Sequence, residues 1–534
     1  APAGSRALDS IVINRRDDRY QGRQEEWTFN GRGRLSGPPQ LIPGFILRGI
    51  NFWGSYVKKK YDYFSRNDDW YGDQTTDFRN RFETKPTLAY SFGGDMGITT
   101  GIKRAKRINY DISLGYTYEQ SYRSDNRTIY RLERLDGWDT ADGAAFGLLP
   151  SARDSLAQAK DWNNSYHTPV RSRSHTPSLG ISISNNREGR NWGSLSFSLT
   201  GRFVHDWILD QRGGSQRELN RHFMSWEPSI SYRLRLVDFS YSFSQSPAPM
   251  ANLLNVIDNS NPLAVWKGNP DLKNMRRHTA RAGIHKTNNV TRMAWGVEGT
   301  YNLYLSSIGQ SMTYDMTTGK ATYQPQNIDG NWDASLDFGY SQTFGTERTF
   351  ALGVSTVPYF NHSVDFASAY GSGVSGRSSV DNFSLRQSLS GRYLHKGLNL
   401  SAKASADWNY ATSERPGFST INAVDFQYGV SATVPLPWDM EVGTDLTMYS
   451  RRGYADPSMN TDDLVWNMRI SKSMLPRRNL TVFVDGFDIL GQLSNIRRVI
   501  NAQGRTETWY NTVPRYFMVH LIYRLNREPK KKTE

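Results

Sequence analysis

Residues Leu398 to Tyr410 read Leu-Asn-Leu-Ser-Ala-Lys-Ala-Ser-Ala-Asp-Trp-Asn-Tyr. Every second side chain (Leu398, Leu400, Ala402, Ala404, Ala406, Trp408, Tyr410) is apolar. Those between them (Asn399, Ser401, Lys403, Ser405, Asp407, Asn409) are polar or charged. A β-strand sends successive side chains to opposite faces, so the segment has one oily face and one wet face. The pattern recurs along nearly the whole chain, in runs longer than the roughly five or six residues usual in soluble sandwiches. Strands of about nine to eleven residues or more, with small and charged residues on the wet face, predict an all-β fold. The expected architecture is a transmembrane antiparallel β-barrel, its wet face lining a lumen and its oily face meeting lipid.

Composition narrows the choice. The 534 residues contain no apolar run near 18, which excludes a transmembrane helix. A mean hydropathy of -0.64 would suit a soluble protein, but a barrel hides its membrane band in alternate positions. The 15 Trp, 29 Tyr and 24 Phe gather at strand ends, where an interfacial girdle needs them. Zero Cys removes disulfides and thiolate metal sites. The formal charge of +14 is scattered through strands and turns, so a lumen, a lipopolysaccharide-facing rim or an anionic ligand explains it better than nucleic acid. The chain starts at Ala1 without a basic n-region or apolar h-region, as a mature, trimmed or partial chain would.

The C-terminal strands trace most clearly. Phe517, Val519, Leu521, Tyr523 and Leu525 alternate with Met518, His520, Ile522 and Arg524 in a last strand ending near Asn526. A basic tail, 527–534, is expected to lie in water on the periplasmic side. Further back, short connections at Leu475 to Arg478, Pro435 to Trp438 and Leu394 to Gly397 alternate with long polar ones near 491–512, 452–462, 411–423 and 367–381. Short turns on one side and long loops on the other are the outer-membrane pattern. Hairpins continue near 321–366, 272–315, 222–246, 175–208 and 87–121. The stretch 122–174 reads as the largest extracellular loop, and one barrel of about 20–22 strands over 1–526 accounts for the length.

Two segments carry a resemblance. The first is Ser244-Gln245-Ser246-Pro247-Ala248-Pro249-Met250, followed by Asn261-Pro262 and then Gly268-Asn269-Pro270-Asp271-Leu272-Lys273. The second is Asp485-Gly486-Phe487-Asp488-Ile489-Leu490-Gly491-Gln492, followed by Pro514-Arg515-Tyr516-Phe517 at the start of the last strand. Both resemble motifs of TonB-dependent receptors, in particular the Bacteroidota outer-membrane barrels related to them. Tyr323-Gln324-Pro325-Gln326-Asn327-Ile328-Asp329-Gly330 is similar to a recurrent strand start in that family. Where the family usually continues with Pro-Glu, this chain has Asn274 and Met275.

The resemblance implies the barrel of an energised importer of large or scarce solutes, with an N-terminal plug and TonB as partners. It places the chain in the outer membrane of a Gram-negative bacterium, C-terminus in the periplasm. Strand rhythm by about Ile11 to Trp27 leaves no room for a plug here, so the alternative is a plugless barrel serving as a structural or assembly partner. Surface lipoproteins or other outer-membrane proteins would be its partners, beside membrane lipid and lipopolysaccharide.

Chemistry-bearing constellations are sparse. The nine His include no His-x-x-x-His or His-Glu-x-x-His set. The pairs Asp68-Asp69 and Asp462-Asp463 read as loop carboxylates, and no Gly-x-Ser-x-Gly or Walker loop occurs. The reading is therefore a non-enzyme with no cofactor and no metal. Trp138, Trp162, Tyr166 and Trp266 are the loop aromatics expected to meet a ligand or partner, while Trp53 and Trp509 read as girdle residues. Gly268 or Asn269 is expected to take a positive φ in a tight turn.

Overall fold

The computed structural model describes residues 14–524 apart from 36–45, 72–75, 106–107, 141–145, 188–189, 262–263, 316–319, 346, 368–375, 415–417, 419, 455–456, 458–459, 476–477, 493–495, 502–503 and 510–514. Strands make up nearly all of it. The first eight are β1 (Asn14–Leu35), β2 (Ile46–Tyr71), β3 (Thr76–Ala105), β4 (Ile108–Arg131), β5 (Tyr166–Arg187), β6 (Arg190–Arg212), β7 (Ser215–Leu234) and β8 (Val237–Ser246). Four short strands follow among longer ones: β9 (Ile257–Asn261), β10 (Ala264–Lys267), β11 (Met275–Asn288), β12 (Met293–Leu305), β13 (Ser307–Asp315) and β14 (Lys320–Ile328). The series continues with β15 (Trp332–Phe344), β16 (Phe350–Ala367), β17 (Gly376–His395), β18 (Leu398–Thr412), β19 (Ile421–Leu436), β20 (Met440–Arg452), β21 (Asp462–Met474) and β22 (Leu480–Phe487). A small hairpin, β23 (Ile496–Asn501) and β24 (Gly504–Trp509), precedes β25 (Tyr516–Tyr523). The helical elements named among the described residues are a 3-10 turn at Leu132–Arg134, α1 (Arg153–Ala159) and α2 (Met250–Leu253). No described helix is long and apolar enough to cross a membrane.

Nineteen strands form one antiparallel sheet in chain order: β1 to β8, then β11, β12, β15 to β22, and β25. The fold is a transmembrane β-barrel wall, and its two faces differ as the alternation requires. Ala404 lies opposite Tyr428 and Leu389, and this face is exposed, with Tyr428 at 51% and Val430 at 58%. The other face carries ladders of hydroxyls: Ser401 Oγ meets Ser431 Oγ at 2.6 Å, Ser198 meets Ser229 at 2.7 Å and Ser55 meets Ser91 at 2.8 Å. Small hydroxyl side chains bond each other across strands without needing a thick core, which suits a wet lumen.

Among the described residues β1 pairs only with β2, and β25 only with β22. As first and nineteenth of an antiparallel series, the two edges run in the same direction. They cannot meet antiparallel, so antiparallel closure of this wall takes an odd number of further strands.

Three sequence expectations change. β4 continues to Arg131 and β5 starts at Tyr166, so 122–131 and 166–174 are strand and the connection is 132–165, not 122–174. Polar residues continue a ladder above the membrane as readily as they form a loop, and the pattern of apolar residues cannot separate the two. Asp68, Asp69, Asp462 and Asp463 likewise lie in strands β2 and β21 rather than in loops. Trp53 pairs with Gly93 on the face of Ser55 and Asn51, the lumen side, and so is not a girdle residue. The tail 527–534 and the side chain of Trp509 lie outside the described residues.

Candidate functional site at the barrel mouth

Two long connections, 247–274 and 306–331, meet to build a second sheet. Its strand order is β9, β10, β14, β13, with β10 and β14 parallel. After Pro247-Ala248-Pro249 the chain turns into α2, whose Met250 packs with Leu254 against Ile208 of β6, with Val170 and Leu219 beside them. These wall residues share the face of the inward Asp206 and Asp210, so the segment folds over the lumen side. Burying three aliphatic side chains there contributes several kcal/mol at about 1.5–3 kcal/mol each.

The family-like motif sits at the junction of the two connections. Gly268 N–H donates to Val256 O at 3.1 Å and Asn269 N–H to Asn252 O at 2.6 Å. Asn269 Nδ2 donates to Pro325 O at 2.8 Å, and Gln324 Nε2 donates back to Gly268 O at 3.1 Å. Pro270-Asp271 forms the turn, closed by Asp271 N–H on Asn269 Oδ1 at 3.0 Å, and Leu272 is buried. Asn327 then clamps the exit: its Oδ1 accepts from Lys273 N–H at 2.6 Å and its Nδ2 donates to Lys273 O and Ser306 O. The Gly268–Lys273 stretch and the Tyr323–Gly330 stretch thus dock on each other.

The expected positive φ is absent at both Gly268 and Asn269. Glycine is required at 268 for close approach instead, because a Cβ there would lie 1.6 Å from Leu254 O.

The small sheet is tied to the wall at both ends. On the β9 side, Arg81 Nη1 donates to Ser260 O at 2.5 Å, and Arg127 Nη1 reaches Asp258 Oδ2 at 3.4 Å and Ser260 Oγ at 3.3 Å. Arg127 also makes a two-point contact to Glu83, at 2.7 and 3.0 Å. On the β13 side, Gln310 N–H donates to Asp365 Oδ1 of β16 at 3.2 Å. Seven wall strands separate β4 from β16, so the sheet lies as a chord across the mouth. Burial raises the Asp258 carboxyl, but hydrogen bonds from Ser260 and the guanidinium groups of Arg127 and Arg212 outweigh it and hold its pKa below the ordinary carboxylate value.

The loop aromatics separate. Trp162 and Tyr166 share a cavity of about 530 Å³ with Arg127, Lys160 and Arg212, and no carboxylate lines it. Lys160 Nζ stands 3.7 Å over the Trp162 ring, and the Arg212 guanidinium stands 4.6 Å over Tyr166. With Arg127 and Arg212 engaged by Glu83, Asp210 and Asp258, the arrangement presents Lys160 and an exposed indole to an incoming group. Trp266 lies elsewhere, half exposed and stacked on Tyr323 at 4.6 Å. Trp138 contributes its carbonyl, which accepts from Asn80 Nδ2 at 3.4 Å. Arg515 Nη1 reaches Ile489 O at 3.5 Å, and Tyr516 stacks on Phe487 at 4.7 Å; Pro514 lies outside the described residues.

Arg127, Arg212 and Glu83 were missed by sequence reading. Their signal was the inward phase of β3, β4 and β6 carried upward past the apolar band. Among the described residues no three His, Asp or Glu side chains gather as a metal group.

No protein-family profile and no curated protein matches the chain. Among solved structures, it is similar to the siderophore receptor PirA from Pseudomonas aeruginosa at 9% identity, covering 96% of this chain and 81% of that one, with a TM-score of 0.35. It is similar to the outer membrane transporter YddB from Escherichia coli at 8% identity, over 94% and 75% of the two chains, with a TM-score of 0.40. The RagAB peptide importer in its closed-closed state matches at 8% identity over 86% and 72%, with a TM-score of 0.35.

Proposed function

We propose that this chain is the barrel of a TonB-dependent-type outer-membrane transporter importing a solute too large or too scarce for porins. The observation that carries the reading is the chord of β9, β10, β14 and β13. Two of the three stretches that resemble the receptor family meet in it, Gly268-Asn269 against Gln324-Pro325. A platform held across the mouth by ion pairs and hydrogen bonds can select solute before it enters the lumen. In this reading the long connections face outside the cell and the C-terminus faces the periplasm. A plug domain occludes the lumen, and TonB moves it with inner-membrane energy.

A second reading is a plugless barrel acting as a structural or assembly partner in an outer-membrane complex. The observation favouring it is the pair of edges, β1 and β25, that have no second partner strand among the described residues and would accept further strands from whichever polypeptide supplies them. Planar-bilayer conductance of the 534-residue chain separates the two. A large, steady conductance supports the transporter barrel, whose occluding element is a separate domain. A silent barrel sealed by its own loops supports the structural partner.

A further inference from the structure

The outward face of β5, β6 and β7 carries cations where the oily band ends. On β6 the outward residues run Leu195, Phe197, Leu199, Gly201 and Phe203, then change to His205 and Trp207. Trp226 packs edge-on against Phe203 at 5.6 Å, forming the aromatic rim of the band. The next row across three neighbouring strands is Arg173, His205 and His222, each directly opposite the next. The His205 and His222 rings stack at 4.4 Å with 4° between their planes. Two residues further along β5, on the same face, Arg171 stands 5.1 Å from the Trp207 ring and 5.9 Å from the Tyr122 ring.

Several inward arginines of this wall are held by carboxylates: Arg127 by Glu83, Arg221 by Asp206, Arg386 by Asp407 and Arg469 by Asp485. Among the described residues Arg171, Arg173, His205 and His222 have no such partner, and all four are exposed. A row of three strands spans about 10 Å at 4.7–4.9 Å per strand, the width of a headgroup rather than of a protein. Unpaired guanidinium groups above an aromatic rim, at the depth where acyl chains give way to polar groups, match a phosphate on an anionic lipid.

We infer that Arg171, Arg173 and the His205–His222 pair form a binding site for the phosphate of a lipid A-type glycolipid in the leaflet at the long-loop end. Naming that lipid rests on the outer-membrane orientation proposed above. The site itself does not, since it can be tested in detergent whatever the orientation in cells.

The probe is bisphosphorylated lipid A in mixed micelles, with binding to the full chain read by native mass spectrometry. Folding is monitored by heat-modifiable electrophoretic mobility. The wild-type chain should hold lipid A at least tenfold more tightly than its phosphatase-treated form. The double variant Arg171→Gln, Arg173→Gln should lose at least tenfold, and His205→Gln, His222→Gln should lose less. Lys286→Gln, a cation near the short-turn end of β11, should change nothing. Equal binding of the two lipid forms by the wild-type chain overturns the inference without any variant. Equal loss on Lys286→Gln also overturns it, because the attraction would then be general charge. Displacement of lipid A by millimolar inorganic phosphate alone would make this a phosphate site and refute the lipid. Failure of any of these arms leaves the orientation in cells to be judged separately.

Discussion

The wall is tall on one side and low on the other. Strands β2 to β6 hold 22 to 30 residues, while β20 and β21 hold 13 each and β22 holds eight. The membrane asks the same of both sides, about nine to eleven residues per strand. The surplus in the tall wall is polar strand that continues beyond the oily band. It is there that Glu83 and Arg127 hold the β9 side of the chord. The low wall, among the described residues, has no such extension. Strand length therefore reports on what the long-loop end has to carry, and the bilayer sets only the minimum.

The largest expected effect tests where the band stops. Ala404→Arg, outward in the low wall at membrane depth, should cost about 2–4 kcal/mol in folding from denaturant into bilayers. The same change at inward Ser405 should be tolerated. Gln211→Arg, outward on β6 but above the band, should cost under about 0.5 kcal/mol. A penalty at Gln211 as large as at Ala404 would erase the distinction between the two walls.

Next in size is the chord. Gly268→Val drives a Cβ towards Leu254 O, a backbone atom that cannot step aside, and should cost about 3 kcal/mol of local stability. Limited proteolysis should nick 247–274 while the barrel keeps its folded mobility on gels. Unchanged protection would mean that the chord is not held at this junction.

Arg127→Gln should loosen the same platform from the tall wall by about 2 kcal/mol, leaving Glu83 and Asp258 short of a cation. Hydrogen exchange in 257–261 should rise while that in 307–315 changes less. Equal rises at both ends would show that the chord moves as one piece.

The smallest effect is on pH. The Asp258 pKa is lowered in the fold, so its contribution is present above the unfolded value near 3.9 and is lost as pH falls through the lower folded value. Protection in 257–261, taken relative to the intrinsic exchange rate at each pH, should be flat from pH 7 to about 5 and should fall only below about 4. Loosening near pH 6 instead would assign the dependence to another group.

The low wall was legible in the sequence, because Leu398–Tyr410 is nearly all band and its alternation is complete. The tall wall was legible only as far as its apolar residues reach. Residues 122–131 keep their inward and outward phase, but with Arg and Asp on one face and Ser, Asn and Thr on the other, both faces are polar and the apolar period cannot be seen. Of the site, the junction was found through Gly268-Asn269-Pro270, though its glycine serves close packing and not a left-handed turn. The ion pairs from Arg127 and Arg212 to Asp258 join residues 131 and 46 positions apart, a pairing that only the folded wall brings about.

The central claim is a membrane-spanning wall with its long-loop end outside and its short turns inside. The chain lacks cysteine, so single thiols report position without background. Asp136→Cys lies in the exposed long connection between β4 and β5, and Trp438→Cys replaces a residue 81% exposed at the turn between β19 and β20. With an impermeant thiol reagent on intact cells, position 136 should label and position 438 should label only after the outer membrane is opened. Labelling at 438 but not at 136 on intact cells would contradict the account.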